Sequence, residues 1–334
     1  MINTFFFIII FSLILFFCGI LSKERHLKTD MLSIDHTNTA KGIACVMIVI
    51  HHIAGIEGLN IFSPFGGIGV CIFLICSGYG LSISYKKHGL KDFIIKRFFR
   101  ILIPFLVVNV ITYIYLFSTS KDYLILTNTY IFWYVYYIIV VYIIFYIIYK
   151  FFYKYRILLI IIAIALYSEL KGYPVTIQQI FSFSMGILIF EYSNKLILID
   201  NNKCKVFIGF SLIILSVAFL LLKNIFKIYN NNYLINVSNC LMIIFGAVGI
   251  IILSYFLLKK KYISLALKFI GKLSYEVYLV HLILLKLFKE IRFTPFVSVC
   301  YILAFIIISK LIFEFSNYVS KAVFRLYNKL IINY

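Results

Sequence analysis

The chain sets a lysine and a histidine ten residues apart, in Lys41-Gly42-Ile43-Ala44-Cys45-Val46-Met47-Ile48-Val49-Ile50-His51-His52. On a helix rising about 1.5 Å per residue, Lys41 and His51 stand about 15 Å apart along the axis. Ionisable side chains in so apolar a stretch are costly in a bilayer and mark chemistry or a pathway. A lysine at a helix mouth suits an anion such as a phosphate. An imidazole of ordinary pKa near 6.5 takes a proton from a hydroxyl near neutral pH. The cap candidates Thr37, Asn38 and Thr39 place Lys41 in the first turn, where a cation opposes the helix dipole and is out of place structurally. His52 points about 100° away from His51, so one of the two is expected to act and the other to pack.

Two more groups join this pair. Arg97 and Arg100 are three apart and share a helix face, so their planar forks suit one phosphate; charge alone suits an interfacial helix on anionic lipid. Ser274, Tyr278 and His281 recur at i, i+4 and i+7 as a polar stripe, which makes either an interhelical hydrogen-bond seam or a substrate wall. Gly66, Gly67 and Gly69 permit a close approach or a plain turn. Glu57 reads as a solvated helix-end carboxylate, and Glu276 as the partner of Lys272 four residues before it. His26, His36 and His88 are expected in solvated loops. Six of the seven cysteines fall in apolar spans without zinc-ligand or redox spacing, so they read as small buried residues, and no metal site is expected.

The elements that must position these residues are membrane helices. With 63% hydrophobic and 13% charged residues, and apolar runs of about 20 residues from end to end, a water-soluble domain is excluded. The expected fold is all-α, a polytopic transmembrane bundle of about 10–11 helices with no soluble domain. The spans fall at 4–22, 41–56, 67–85, 101–118, 130–149, 157–169, 177–194, 206–222, 238–258, 273–289 and 296–316, with 157–169 short for a full crossing. The first lacks the basic n-region of a signal peptide and reads as a helix. The net charge of +20 is an orientation signal rather than a nucleic-acid one: alternate connections hold 24 Lys and Arg against 7 in the others. That places the N-terminus outside, the C-terminus in the cytoplasm and Lys41 at the inner face of a multi-pass protein of the cell membrane. Residues 1–22 form an extra N-terminal helix, 23–40 a cytoplasmic loop, 41–325 the main transmembrane domain and 326–334 a cytoplasmic tail.

Taken together, the segments resemble the membrane acyltransferase 3 family, whose members acylate sugars and other envelope acceptors. The resemblance rests on Lys41 with His51, on Phe73-Leu74-Ile75-Cys76-Ser77-Gly78-Tyr79, on Arg97-Phe98-Phe99-Arg100 with Pro104 after it, on Phe132-Trp133-Tyr134, and on Ser274-Tyr275 through Tyr278-Leu279 to His281. The motifs keep the family's order and span about residues 35–320. The family usually has Arg at the position of Lys41, which offers a bidentate fork that Lys lacks. It also commonly has ten spans, which makes 1–22 an addition.

The resemblance implies an integral-membrane O-acyltransferase using acyl-CoA, most often acetyl-CoA, as a donor substrate, with no permanently bound cofactor. His51 would be the general base and Lys41, Arg97 and Arg100 would hold the donor phosphates. Ser77, Tyr79, Trp133, Ser274, Tyr278 and His281 would wall the cavity. The partners implied are the lipid bilayer, acyl-CoA and a glycan or lipid-linked sugar acceptor. The competing class is a lipid-linked glycan flippase or polymerase, or a secondary transporter, for which repeated broken helices would be the sign.

Overall fold

The structure, a computed structural model, describes residues 31–56, 58–118, 132–193, 201–288 and 295–332. The expected helix 4–22, Glu57 and residues 23–30 of the expected loop 23–40 lie outside the described residues. Among those described there is no β-strand, and the all-α expectation holds. In chain order the helices are α1 (Ile34–Ile56), α2 (Ser63–His88), α3 (Phe93–Ser118), α4 (Trp133–Phe151), α5 (Arg156–Lys171), α6 (Ser182–Glu191), α7 (Asn202–Ile228), α8 (Asn232–Leu257), α9 (Lys261–Lys272), α10 (Ser274–Phe288) and α11 (Pro295–Ile332). A single turn, Pro174–Ile177, precedes α6. Seven of the described helices are long and apolar enough to cross a membrane: α1 to α4, α7, α8 and the stretch Cys300–Arg325 of α11.

The boundaries follow local chemistry. Pro64 opens the first turn of α2. Asn201 and Asn231 cap α7 and α8, their side-chain oxygens accepting from the N–H groups of Lys203 and Leu234. Gly172 ends α5 in the left-handed conformation at φ 64°. Several expectations are corrected. The segment 177–194 is not one crossing: Gln178 to Phe181 interrupt it, and α6 has only 10 residues. The interruption is satisfied by protein, because the Gln179 side-chain amide donates to the Gly67 carbonyl at 3.0 Å and Ser182 donates to Gln179 at 2.6 Å. The connection 259–272 holds α9, an amphipathic helix, rather than a loop. Apart from these corrections, α11 runs on to Ile332, into the segment expected as a tail.

The chain divides into two units. The first comprises residues up to Gly89 and Ile148–Lys272. In it α1 packs on α2, α8 and α9, while α2 packs on α6 and α7 pairs with α8. The second comprises Leu90–Ile147 and Leu273–Tyr334, where α3 and α10 pack on α11. Two seams in the first unit depend on glycine. A Cβ on Gly42 would overlap the Leu267 carbonyl oxygen of α9, and one on Gly271 would overlap that of Asn38. Between α2 and α6, Gly78 lies against the Phe183 carbonyl and Gly186 against that of Ile75. Close backbone approach over small residues is how helices associate where lipid removes the hydrophobic drive.

Candidate functional site

The site is built on α1, and its N-terminal half is held by His36. That residue is fully buried. Its Nδ1 accepts from the Leu32 N–H at 2.9 Å, so Nε2 carries the proton and donates towards the Ile251 carbonyl at 2.8 Å, with Ser254 Oγ at 3.0 Å. The expectation of a solvated loop histidine is corrected: α1 begins at Ile34, Nε2 of His36 ties its first turn to α8, and Nδ1 holds the chain just before the helix. Asp35 beside it takes Lys268 of α9 at 2.9 Å. The early start also corrects the position of Lys41. It is the eighth residue of α1, in the third turn, because Thr37 and Thr39 return their hydroxyls to carbonyls within the helix instead of capping it. The attraction of a free helix N-terminus for an anion therefore does not act at Lys41.

Lys41 is half-buried, with Cys76 of α2 within electrostatic reach. Among the described residues no carboxylate pairs with it. His51 is half-buried towards the far end of α1. Its Nδ1 lies 3.4 Å from the Phe62 carbonyl. A carbonyl only accepts, so a proton shared there belongs to Nδ1 and leaves Nε2 with the lone pair a base requires. The ring rests on Gly66, where a Cβ would come within 2.6 Å of Cδ2. Gly66 is thus a close-approach glycine inside α2, not a turn residue. His52 is half-buried with its ring centroid 4.9 Å from that of His51. Of the wall candidates in this unit, Ser77 is half-buried, and Tyr79 is buried against the Phe190 ring at 6.2 Å.

The remaining candidates belong to the second unit. Arg100 does not stand free for a phosphate. It faces the fully buried Glu276 at 3.3 Å, donates to Asn317 at 3.3 Å, and lies over the Phe313 ring at 5.1 Å. The expected Lys272–Glu276 pair is replaced by this one, because Lys272 is exposed while Glu276 points inward. Arg97 lines a shallow groove with Phe98, Ile101 and Ile139, and no carboxylate pairs with it among the described residues. Of the polar stripe on α10, Tyr278 packs on the Tyr134 ring at 5.0 Å, and His281 is fully buried with Nδ1 3.1 Å from the Val277 carbonyl. Tyr301 of α11 donates to the His281 backbone carbonyl at 3.1 Å, which ties α10 to α11 beside the stripe. Trp133 opens α4 with its ring 6.0 Å from those of Tyr134 and Tyr137. Ser274 is half-buried at the start of α10.

The sequence reading missed a polar pocket of about 280 Å³ in the first unit, at the C-terminal ends of α2, α4 and α6. Its two cations, Lys86 and Arg156, enter the sequence reading only in the balance of charge between the connections. The aromatic pair Tyr149 and Tyr153, four apart beside Arg156, was the available signal.

No curated protein and no solved structure matches the chain. Residues 34–314 match the sequence model of an acyltransferase domain, Acyl_transf_3. That match covers nearly the whole chain, beginning at the first turn of α1 and ending within α11. The chain belongs to the acyltransferase 3 family and is a multi-pass membrane acyltransferase.

Proposed function

We propose that the protein moves an acyl group, acetyl in the first instance, from cytoplasmic acyl-CoA to a hydroxyl of an envelope or exported glycan. The observation that carries this reading is the pattern of ion pairs. Asp35 is taken by Lys268, Glu191 by Arg156 and Glu276 by Arg100. Lys41, half-buried, has no such partner among the described residues. A cation held partly out of water without a counter-ion is a receiver for an anion brought from outside. The donor's phosphates supply one, while Arg100 serves Glu276.

An imidazole lies about 15 Å further along the same helix, the separation that a thioester on a flexible arm has to bridge. In the direct-transfer form, His51 Nε2 accepts the proton of the acceptor hydroxyl as the oxygen attacks the thioester carbonyl. The C–S bond breaks, the new C–O bond forms, and the imidazolium returns the proton to the leaving thiolate. The balance of Lys and Arg between the connections supports an inner donor entrance and an outer acceptor side.

The test is mass spectrometry of ester-linked acyl groups on envelope and secreted glycans. The cells compared carry wild-type protein, His51→Ala, His52→Ala or none, at matched membrane levels. Acylation that requires the protein and vanishes with His51→Ala is expected. Loss with His52→Ala alone moves the base one residue along α1. Full acylation by both variants overturns an imidazole base, and no protein-dependent ester on any glycan overturns the glycan acceptor.

A further inference from the structure

We propose that the pocket at the C-terminal ends of α2, α4 and α6 binds a nucleotide carrying phosphates, and that it docks the nucleotide end of the thioester donor. The second half of this inference rests on the donor reading above. The walls bring together two cations, Lys86 and Arg156, a carboxylate, Glu191, the rings of Tyr149 and Tyr153, and the Ser82 hydroxyl. At about 280 Å³ the space suits a small organic ligand rather than a lone ion.

Each wall has a stated geometry. Arg156 is fixed rather than searching: it pairs with Glu191, donates to the Tyr153 carbonyl at 2.9 Å, and stacks over the Tyr153 ring at 4.1 Å. The Tyr153 ring is stacked on Tyr85 at 5.5 Å and edges Tyr149 at 5.5 Å, so the aromatic wall is rigid. Ser82 is buried, donates to the Gly78 carbonyl at 2.9 Å, and lies 3.4 Å from the Tyr149 hydroxyl. Lys86 is exposed, 6.0 Å from the Phe190 ring centroid, and has no carboxylate partner among the described residues.

The presence of Glu191 narrows the ligand. A carboxylate disfavours a bare polyanion but accepts from an amino group, and a flat base stacks on a guanidinium face such as that of Arg156. Phosphates find Lys86 at the open side, where no described carboxylate competes for it. A base with an amino group plus phosphates satisfies all three kinds of wall. Position agrees with the donor. Lys86 is ten residues beyond Cys76 on α2, about 15 Å along the axis, and Cys76 lies within reach of Lys41. Lys41 is in turn about 15 Å from His51. Pocket, lysine and imidazole therefore form three successive stations for a nucleotide, a pyrophosphate and a thioester.

The full-length protein is reconstituted in nanodiscs of neutral lipid, with or without phosphatidylglycerol. Binding of adenosine 3′,5′-bisphosphate and of acetyl-CoA is then measured by calorimetry. Lys86→Gln is expected to weaken both by at least about tenfold, the size of one lost charge-assisted hydrogen bond. Lys87→Gln removes the same charge about 100° round the helix and is expected to change either by less than about twofold. The pair Arg156→Gln with Glu191→Gln, which leaves no unpaired charge, is expected to weaken the bisphosphate as Lys86→Gln does. Acetyl-CoA bound equally by Lys86→Gln and Lys87→Gln overturns the docking pocket and leaves the donor reading standing. Bisphosphate binding without acetyl-CoA binding keeps the nucleotide site and overturns the donor reading. Displacement by phosphatidylglycerol, with no bisphosphate bound in neutral lipid, assigns the pocket to a lipid headgroup and overturns the proposal.

Discussion

Replacing Arg100 by glutamine is expected to destabilise the second unit rather than merely to weaken donor binding. Glu276 has no exposure, the Arg100 side chain keeps 40% of its own, and nitrogen and oxygen are 3.3 Å apart. At that distance and an effective dielectric near 20 the attraction is about 5 kcal/mol. Removing one member of a buried pair costs roughly 3–5 kcal/mol, because the survivor stays buried and charged. The half-open arginine lets water screen the pair and sets the expected loss near the lower end, about 3 kcal/mol. That is on the order of a hundredfold in the folding equilibrium and a fall in melting temperature of roughly 5–10 °C. Size-exclusion chromatography of a fluorescently tagged protein after heating reads this directly. The double variant Arg100→Gln with Glu276→Gln removes both charges and should recover most of the loss. A single variant melting within about 1 °C of wild type would refute the reasoning. Recovered melting with absent acyl transfer would show that Arg100 also touches the donor.

Lys41→Gln should raise the donor KM at least about tenfold with folded yield unchanged, measured by thioester consumption in proteoliposomes. Gly66→Ala should displace the His51 ring and lower kcat with little change in donor binding, since its Cβ would lie 2.6 Å from Cδ2. Gly42→Ala and Gly271→Ala should reduce the yield of folded protein. Gly80→Ala, which meets nothing within 4 Å, should be neutral or stabilising by up to about 1 kcal/mol in the same heating assay. His36→Leu should cost about 2 kcal/mol or more by stranding a buried N–H and carbonyl, visible in the same assay with donor KM unchanged.

The long apolar helices were legible in the sequence because a bilayer imposes length and hydropathy on them directly. What escaped depends on partners far along the chain. Nothing near His36 announces that Ile251 and Ser254 receive it, so a histidine close to charged residues reads as a loop. Glu276 has Lys272 one turn away, and only the fold shows that Arg100 answers it. Hydropathy averages across Gln178 and Gln179, which hides the break before α6, although Pro174 and two adjacent glutamines marked the place. In the connection 259–272, lysines at a helical period were counted for charge, and the apolar face between them was overlooked. At the candidate site, Lys41 and His51 were read from spacing alone. Their surroundings, Cys76 for one and Gly66 with Phe62 for the other, come from how α2 lies against α1.

The glycine seam between α1 and α9 fixes register as well as distance. Asn38 meets Gly271 and Gly42 meets Leu267, so the contacts are antiparallel and one turn apart on both helices. Sliding α1 by a turn in either direction would set Val46 or Asn38 against the Leu267 carbonyl, where even a methyl group has no room. The lysine on α1 is therefore held at one depth relative to α9. A ratchet of α1 along α9, the kind of step by which some proteins carry cargo past a barrier, is closed to this chain. If acyl transfer takes place at α1 as proposed, the reacting groups have to come to it, along the flexible arm of one substrate and the reach of the other.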